Sequence, residues 1–368
     1  MFENTMQWKD MIIMNGLISL LSTLTLVTSA PLSLATSNLN TYNNWQEHKP
    51  ILVGYWHNWD NGLGYKGGTA KYIDLVDVHH EYDFINVSFM KSYQIGGIPT
   101  FIPEVPHKPH FNQNEKNDYF ANQVKLVQER GQKVILSLGG ADAHIDLKFD
   151  NIQPFKQEIM NLISTFGFNG IDIDLEQSAI TAGENEDIIP KVLKDLKDYY
   201  AANGKEFLIT MAPEFPYLRT NSNQGKYLPY LRALGDYYLD FVSPQFYNQA
   251  GDGVNVPLEE QEVLGFRNWW LPQSNTEYKA EFLYLIAKYI VQGKDSFYQI
   301  PANKLLWGLP ANNDAAANGQ IKIHDIWKAT ELLKKQNIYL KGMMTWSVNW
   351  DAVTNWEFAK IYQNEFYQ

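Results

Sequence analysis

A single (β/α)₈ barrel is the fold this sequence predicts, on three observations. Eight short apolar runs recur at about the repeat length of a βα unit. Amphipathic helical stretches lie between them. The length, 368 residues, is within the range of one such barrel, two ordinary domains being the other division. The runs cover 51–56, 84–90, 133–140, 170–176, 207–214, 241–248, 305–312 and 342–349. Most are β-branched or aromatic, and several end in Gly, Pro or Asn, as strands do. The expected helices carry their own stops. Residues 115–130 end at Gly131, 154–166 start on Pro154 and end at Gly167, and 190–202 start on Pro190 and close with Asn203-Gly204; 277–291 and 324–336 read the same way. Two βα connections are long, 91–112 and 249–274, the second carrying Trp269 and Trp270. No linker or second composition zone divides the chain.

Composition narrows the function. With 45% hydrophobic residues a packed core is assured, and with no cysteine a disulfide scaffold, a thiolate metal site and a cysteine nucleophile are excluded. A net charge of −11 argues against nucleic-acid binding, which needs a basic face. Residues 11–27 are apolar or small, no charge occurs between Asp10 and Glu47, and Ser33-Leu34-Ala35 follows as a small-residue site. About 17 residues is short for a membrane span, so 1–35 reads as a secretory signal peptide and 36–50 as a short polar lead-in to a barrel at 51–368. Cleavage after Ala30 and an uncleaved anchor are the alternatives. The n-region departs from the usual pattern, since Glu3, Lys9 and Asp10 leave it negative. The mature protein is expected outside the cell or in a periplasm, off the membrane and monomeric.

The most informative segment is Gly170-Ile171-Asp172-Ile173-Asp174-Leu175-Glu176. Alternate strand residues share a face, so the three acids point one way and the aliphatic residues the other, with successive acids about 6.5–7 Å apart. Three carboxyls inside a barrel repel one another and lose solvation, so at least one holds a proton near neutral pH, as a general acid requires. Carboxylates alone also suit Ca²⁺ or Mg²⁺, but no histidine accompanies them at ligand spacing, and no metal or other cofactor is expected.

This segment resembles the D-G-x-D-x-D-x-E signature of glycoside hydrolase family 18, the chitinases and endo-β-N-acetylglucosaminidases, with Asn169 in place of the first Asp. Ser137-Leu138-Gly139-Gly140 is similar to the family's S-x-G-G strand. Met211-Ala212-Pro213-Glu214, Gln245-Phe246-Tyr247-Asn248 and the segment from Met344 to Asp351 resemble its strand-five, strand-six and strand-eight ends, in the right order.

The resemblance implies substrate-assisted hydrolysis of chitin or chitooligosaccharides, without a protein nucleophile. On that reading Glu176 protonates the glycosidic oxygen, Asp174 holds the acetamido N–H, Tyr247 bonds its carbonyl, and Asp172 supports Asp174 with Ser137 close by. Trp346 is the expected floor under the cleaved sugar. Met211, Gln245, Asn248, Tyr55 and Trp56 are expected substrate contacts, with Gly139 and Gly140 behind them. Trp59, Trp269, Trp270 and Trp350 are further stacking candidates, core packing being the competing role. Asn169 is expected to serve strand entry. Only residues 313–341 separate strands seven and eight, too few for the small α+β domain some family members insert there, so an open cleft and endo-cleavage are expected. An N-glycan-cleaving endo-β-N-acetylglucosaminidase and a non-catalytic chitin-binding lectin are the competing readings.

Overall fold

The computed structural model describes residues 50–366 except 61, 222 and 223. The expected leader at 1–35 lies outside them, as does the lead-in segment up to residue 49. Eight parallel strands form one sheet: β1 (Ile51–His57), β2 (Phe84–Met90), β3 (Lys133–Gly140), β4 (Gly170–Leu175), β5 (Leu208–Met211), β6 (Phe241–Val242), β7 (Leu306–Pro310) and β8 (Gly342–Trp346). The ladder runs from β7 through β8 and β1 to β6. Bridges Val242↔Leu305 and Gln245↔Gly308 join its two edges, so the sheet is a nearly closed barrel. The eight expected strands are thus all present. β6 is much shorter than the run 241–248 implied, because Pro244 has no N–H to give the ladder, and beyond it pairing survives as single bridges.

The helices are α1 (Gln113–Glu129), α2 (Ile152–Phe166), α3 (Asn185–Ala202), α4 (Leu228–Tyr238), the short α5 (Leu258–Leu264), α6 (Lys279–Gln292), α7 (Ile323–Lys334), α8 (Val348–Val353) and α9 (Glu357–Phe366). A capping box between Asn112 and Glu115 starts α1, and a left-handed Gly167 ends α2. α3 begins at Asn185, ahead of the expected Pro190. Asn185 is fully buried; its side chain accepts from Leu147 N (2.9 Å) and donates to Ile145 O (2.9 Å) and Ala179 O (2.8 Å), tertiary bonds that a helix-start pattern does not reveal. Among the described residues between β1 and β2 there is no α-helix. The glycine-rich stretch there forms a small hairpin, Gly62–Leu63 with Thr69–Ala70, and a 3₁₀ turn, Leu75–Asp77. Only α7 and its flanking loops separate β7 from β8, with no inserted domain.

Strand alternation sorts two interiors. Ile171, Ile173, Leu175, Ile209 and Met211 face outward into the layer shared with the helices. Asp172, Ser137, Thr210 and Tyr55 face inward, and the three hydroxyls donate to Asp172. Asn169, before β4, accepts from Val134 N (2.8 Å) and Gln128 Nε2 (2.9 Å), so it fastens the strand's entry.

Candidate active site

Asp172 sits deepest in the barrel and accepts three hydroxyl bonds, from Tyr55 (2.6 Å), Thr210 (2.6 Å) and Ser137 (2.8 Å). Burial raises its pKa, and the three donors oppose that by stabilising the anion. Two residues on, Asp174 is also buried and accepts from Gln245 Nε2 at 2.8 Å. Burial, then the charges of Glu176, Asp172 and Glu214, raise Asp174 well above the ordinary carboxylate range, against the Gln245 bond. Glu176 follows the last ladder residue of β4, whose carbonyl at Leu175 accepts from the buried Tyr227 hydroxyl. Burial first and the Glu214 carboxylate next push Glu176 up to about 7. The buried Tyr247 phenol stays protonated, raised by burial and by the acids around it.

These groups meet in a cleft of about 490 Å³. Its acid wall holds Asp174, Glu176, Glu214 and Asp142, with Gln245, Tyr247 and Asn248 beside them. Its aromatic wall is Trp346, Phe89 and Trp59: Trp346 lies nearly parallel to Phe89 (6.0 Å, 10°), and Trp59 stacks on His57 at 4.6 Å and 6°. Such faces suit the C–H face of a pyranose. His57 is buried behind them, its Nε2 2.7 Å from Ser347 Oγ, and burial lowers it to about 3, so it is neutral.

Backbone geometry sets this spacing. Gly139 (φ +137°) pairs with Asp174, and a Cβ there would lie 1.9 Å from the Asp174 carbonyl oxygen. Gly140 (φ +83°) lets the Phe89 ring approach to where a Cβ would stand 2.6 Å from it.

Three expected substrate contacts are corrected. Met211 and Trp56 do not reach the cleft. Both are fully buried on the outward face: Met211 is the alternation partner of the inward Thr210, and Trp56 packs on Phe120 and donates to Ile73 O (3.0 Å). Tyr55 points inward but is buried against Asp172 rather than open to the cleft. Trp350 is core, packed with Ala70 and Ala315, and Trp269 and Trp270 stand on a hairpin outside the cleft lining. Thr210, His57, Asp142 and the carboxylate of Glu214 were not assigned from sequence. Thr210 takes its inward direction from the β4 acids through the register Asp172↔Thr210, which the sequence does not show. Gln249 Nε2 donates to Glu214 Oε1 at 2.8 Å. Among the described residues no cluster of three or more His, Asp or Glu is arranged to hold a metal ion, and no helix is long and apolar enough to cross a membrane.

The sequence is 44% identical over 321 residues to a chitinase of Enterococcus faecalis, covering 86% of each chain. It is 31% identical to chitinase D of Niallia circulans, covering 91% of this chain but 65% of that longer relative. A family GH18 chitinase from Chromobacterium violaceum superposes with a TM-score of 0.69 at 25% identity, covering 88% of this chain and 86% of that one. Residues 51–367 match the profile of the glycosyl hydrolases family 18, and with the barrel and the acid-bearing fourth strand in place, the chain belongs to that family of glycoside hydrolases.

Proposed function

We propose that the protein is a secreted, endo-acting chitinase, residues 1–35 being a leader and 51–368 the catalytic barrel. The observation that carries this is the row Asp172, Asp174, Glu176 rising from buried and hydroxyl-bonded to cleft-facing, with Glu176 raised to about 7. In the proposed reaction Glu176 gives its proton to the glycosidic oxygen. The substrate's 2-acetamido oxygen attacks the anomeric carbon as the C–O bond breaks, forming an oxazolinium ion. Asp174 accepts the acetamido N–H and, by passing its proton to Asp172, becomes the anion that offsets the positive charge, while Tyr247 donates to the acetamido oxygen. Trp346 carries the sugar ring. Water then opens the oxazolinium with Glu176 as base, and the β configuration is kept.

The test uses residues 36–368 and N-acetylglucosamine hexamer, with product anomers followed by proton NMR and long soluble chitin as a second substrate. Early β-anomer and mainly oligomeric early products are expected. Early α-anomer overturns the mechanism, steady disaccharide from the first minutes overturns endo-cleavage, and no cleavage at all overturns the chitinase reading in favour of N-glycan hydrolysis or a non-catalytic lectin.

The proton on Glu176 also sets a pH limb. An acid raised to about 7 stays protonated below that value, so kcat/KM on the hexamer is expected to fall as pH rises through about 7. A rate flat to pH 9 would contradict the assignment of Glu176 as the acid.

A further inference from the structure

One side chain ties the hairpin that follows β1 to the loop that follows β7. In the sheet β8 lies between β7 and β1, so these two loops meet over the strand that ends in Trp346. Asp314, in the β7 loop, makes the tie. Its Oδ1 accepts from Lys66 N (2.7 Å) and Gly68 N (3.0 Å), and its carbonyl accepts from Tyr65 N (2.9 Å). The hairpin turn is shaped to receive it. Gly64 N donates to Gly68 O (2.7 Å), and a Cβ on Gly64 or Gly68 would stand 2.5 Å from Asp314 Cβ or 2.4 Å from its Oδ2. The other end is fastened too: Asn312 Oδ1 accepts from Asp314 N (2.9 Å) and Ala315 N (3.1 Å), and Asn312 Nδ2 donates to Trp350 O (2.7 Å) in α8.

What is tied is one side of the cleft. Tyr65, bonded to Asp314 through its N–H, and Ala315, next to Asp314 in the chain, both line it. Ala70, at the end of the hairpin, packs with Ala315 and Trp350 in a small cluster apart from the main core, and Trp346 packs against that cluster. Two alanines and an indole bury little apolar surface, so packing alone orders these loops weakly. A carboxylate accepting two backbone N–H groups adds a directional bond that apolar contact does not supply. The acids stand elsewhere, on and just after β4, four strands round the sheet from β8.

We infer that Asp314 is a positioning residue whose carboxylate clasps the β1 hairpin to the β7 loop and so holds the Tyr65–Ala315 side of the cleft, beside Trp346, in the shape that receives the sugar chain. The inference rests on the chitin reading above and adds a residue that sets affinity without touching the reacting atoms. With the clasp removed, the turn at 64–68 must be ordered anew at each binding event, and substrate binding carries that entropy. The loss weighs equally on the bound ground state and the transition state, so KM rises while kcat holds.

The experiment compares the full protein with Asp314→Ala and with Asp314→Asn, which keeps an oxygen for the two N–H groups. Native-state trypsin cleavage after the exposed Lys66, followed by mass spectrometry, reads the clasp itself. Kinetics on N-acetylglucosamine hexamer read the cleft, and the thermal midpoint reads the barrel. Asp314→Ala is expected to be cut after Lys66 about ten-fold faster and to raise hexamer KM roughly 5–20-fold, with kcat within about two-fold and Tm within about 3 °C of the parent. Asp314→Asn is expected to stay within about three-fold of the parent in both cleavage rate and KM. If the parent cleaves hexamer and Asp314→Ala resists trypsin equally, or is cut faster with KM unchanged, the clasp is wrong while the chitin reading stands. A joint collapse of kcat and Tm, or an asparagine variant no better than alanine, also overturns it. A parent that leaves hexamer uncut removes the chitin reading and this inference together.

Discussion

Glu176→Gln is expected to lower kcat on N-acetylglucosamine hexamer by about 10²–10⁴ and, at pH 8, to make the protein more stable. The two effects have one origin. Burial, and then the Glu214 carboxylate, raise the Glu176 carboxyl from 4.5 to about 7. A raised acid contributes stability that is fully present below the unfolded value near 4.5 and is lost as pH rises through about 7. At pH 8 the wild-type protein therefore holds a charged carboxylate among Asp174, Glu214 and Asp142, whereas glutamine keeps the shape without the charge. After discounting for the open cleft, the difference is on the order of 1–3 kcal/mol, or about 1–4 °C in Tm, and it should vanish near pH 4. Calorimetry at the two pH values, set beside hexamer kinetics, checks both parts. A variant no more stable at pH 8 than the wild type would mean that Glu176 is well solvated, and the proton-holding argument for it as the acid would fail.

Gly139→Ala is expected to damage both the barrel and the site with a single methyl. Its Cβ would stand 1.9 Å from the Asp174 carbonyl oxygen, and the backbone there, at φ +137°, is one that L side chains rarely adopt. β3 must then separate from β4 at the residue that carries Asp174, where the ladder pairs the two directly. Overpacking and backbone strain together should cost about 3–5 kcal/mol, and the displaced Asp174 should lower kcat at least 10²-fold in the molecules that still fold. Gly131→Ala is the matched control: its φ is also positive, at +92°, but nothing lies within 4 Å of the added carbon. That substitution should cost only about 1–2 kcal/mol and leave kcat unchanged. Equal unfolding midpoints in urea for the two variants would show that strand approach is not what fixes Gly139.

The barrel and the acid row were legible because both depend on short-range patterns: apolar runs with stops, and three acids alternating with aliphatic residues. The misplacements of Met211 and Trp56 share a cause. A parallel strand covered on both faces is apolar throughout, so in 51–57 and 208–211 composition gives no alternation from which to read which residues turn inward. β4 escapes the ambiguity only because its inward residues are acids, and the β4–β5 register, Asp172↔Thr210, carries that parity to β5. The early start of α3 and the missing first helix lay beyond local pattern for another reason. The first is set by Asn185 bonding residues about 40 positions away, and the second by a turn-rich segment tied to Asp314, whose carboxylate accepts from Lys66 N (2.7 Å) and Gly68 N (3.0 Å).

The join between β6 and β7 has a consequence for how the working enzyme comes into being. From β1 to β5 the strands are linked by continuous ladders, and Asp172, Asp174 and Glu176 belong wholly to that stretch. Tyr247 and Gln245 come from the segment that meets β7 through isolated bridges. A chain folded up to this seam but open along it would carry its acids without the tyrosine, the glutamine or a water-excluding wall. Recovery of hydrolysis during refolding therefore requires this seam to be closed, whereas recovery of strand signal does not. The seam makes turnover a gauge of closure.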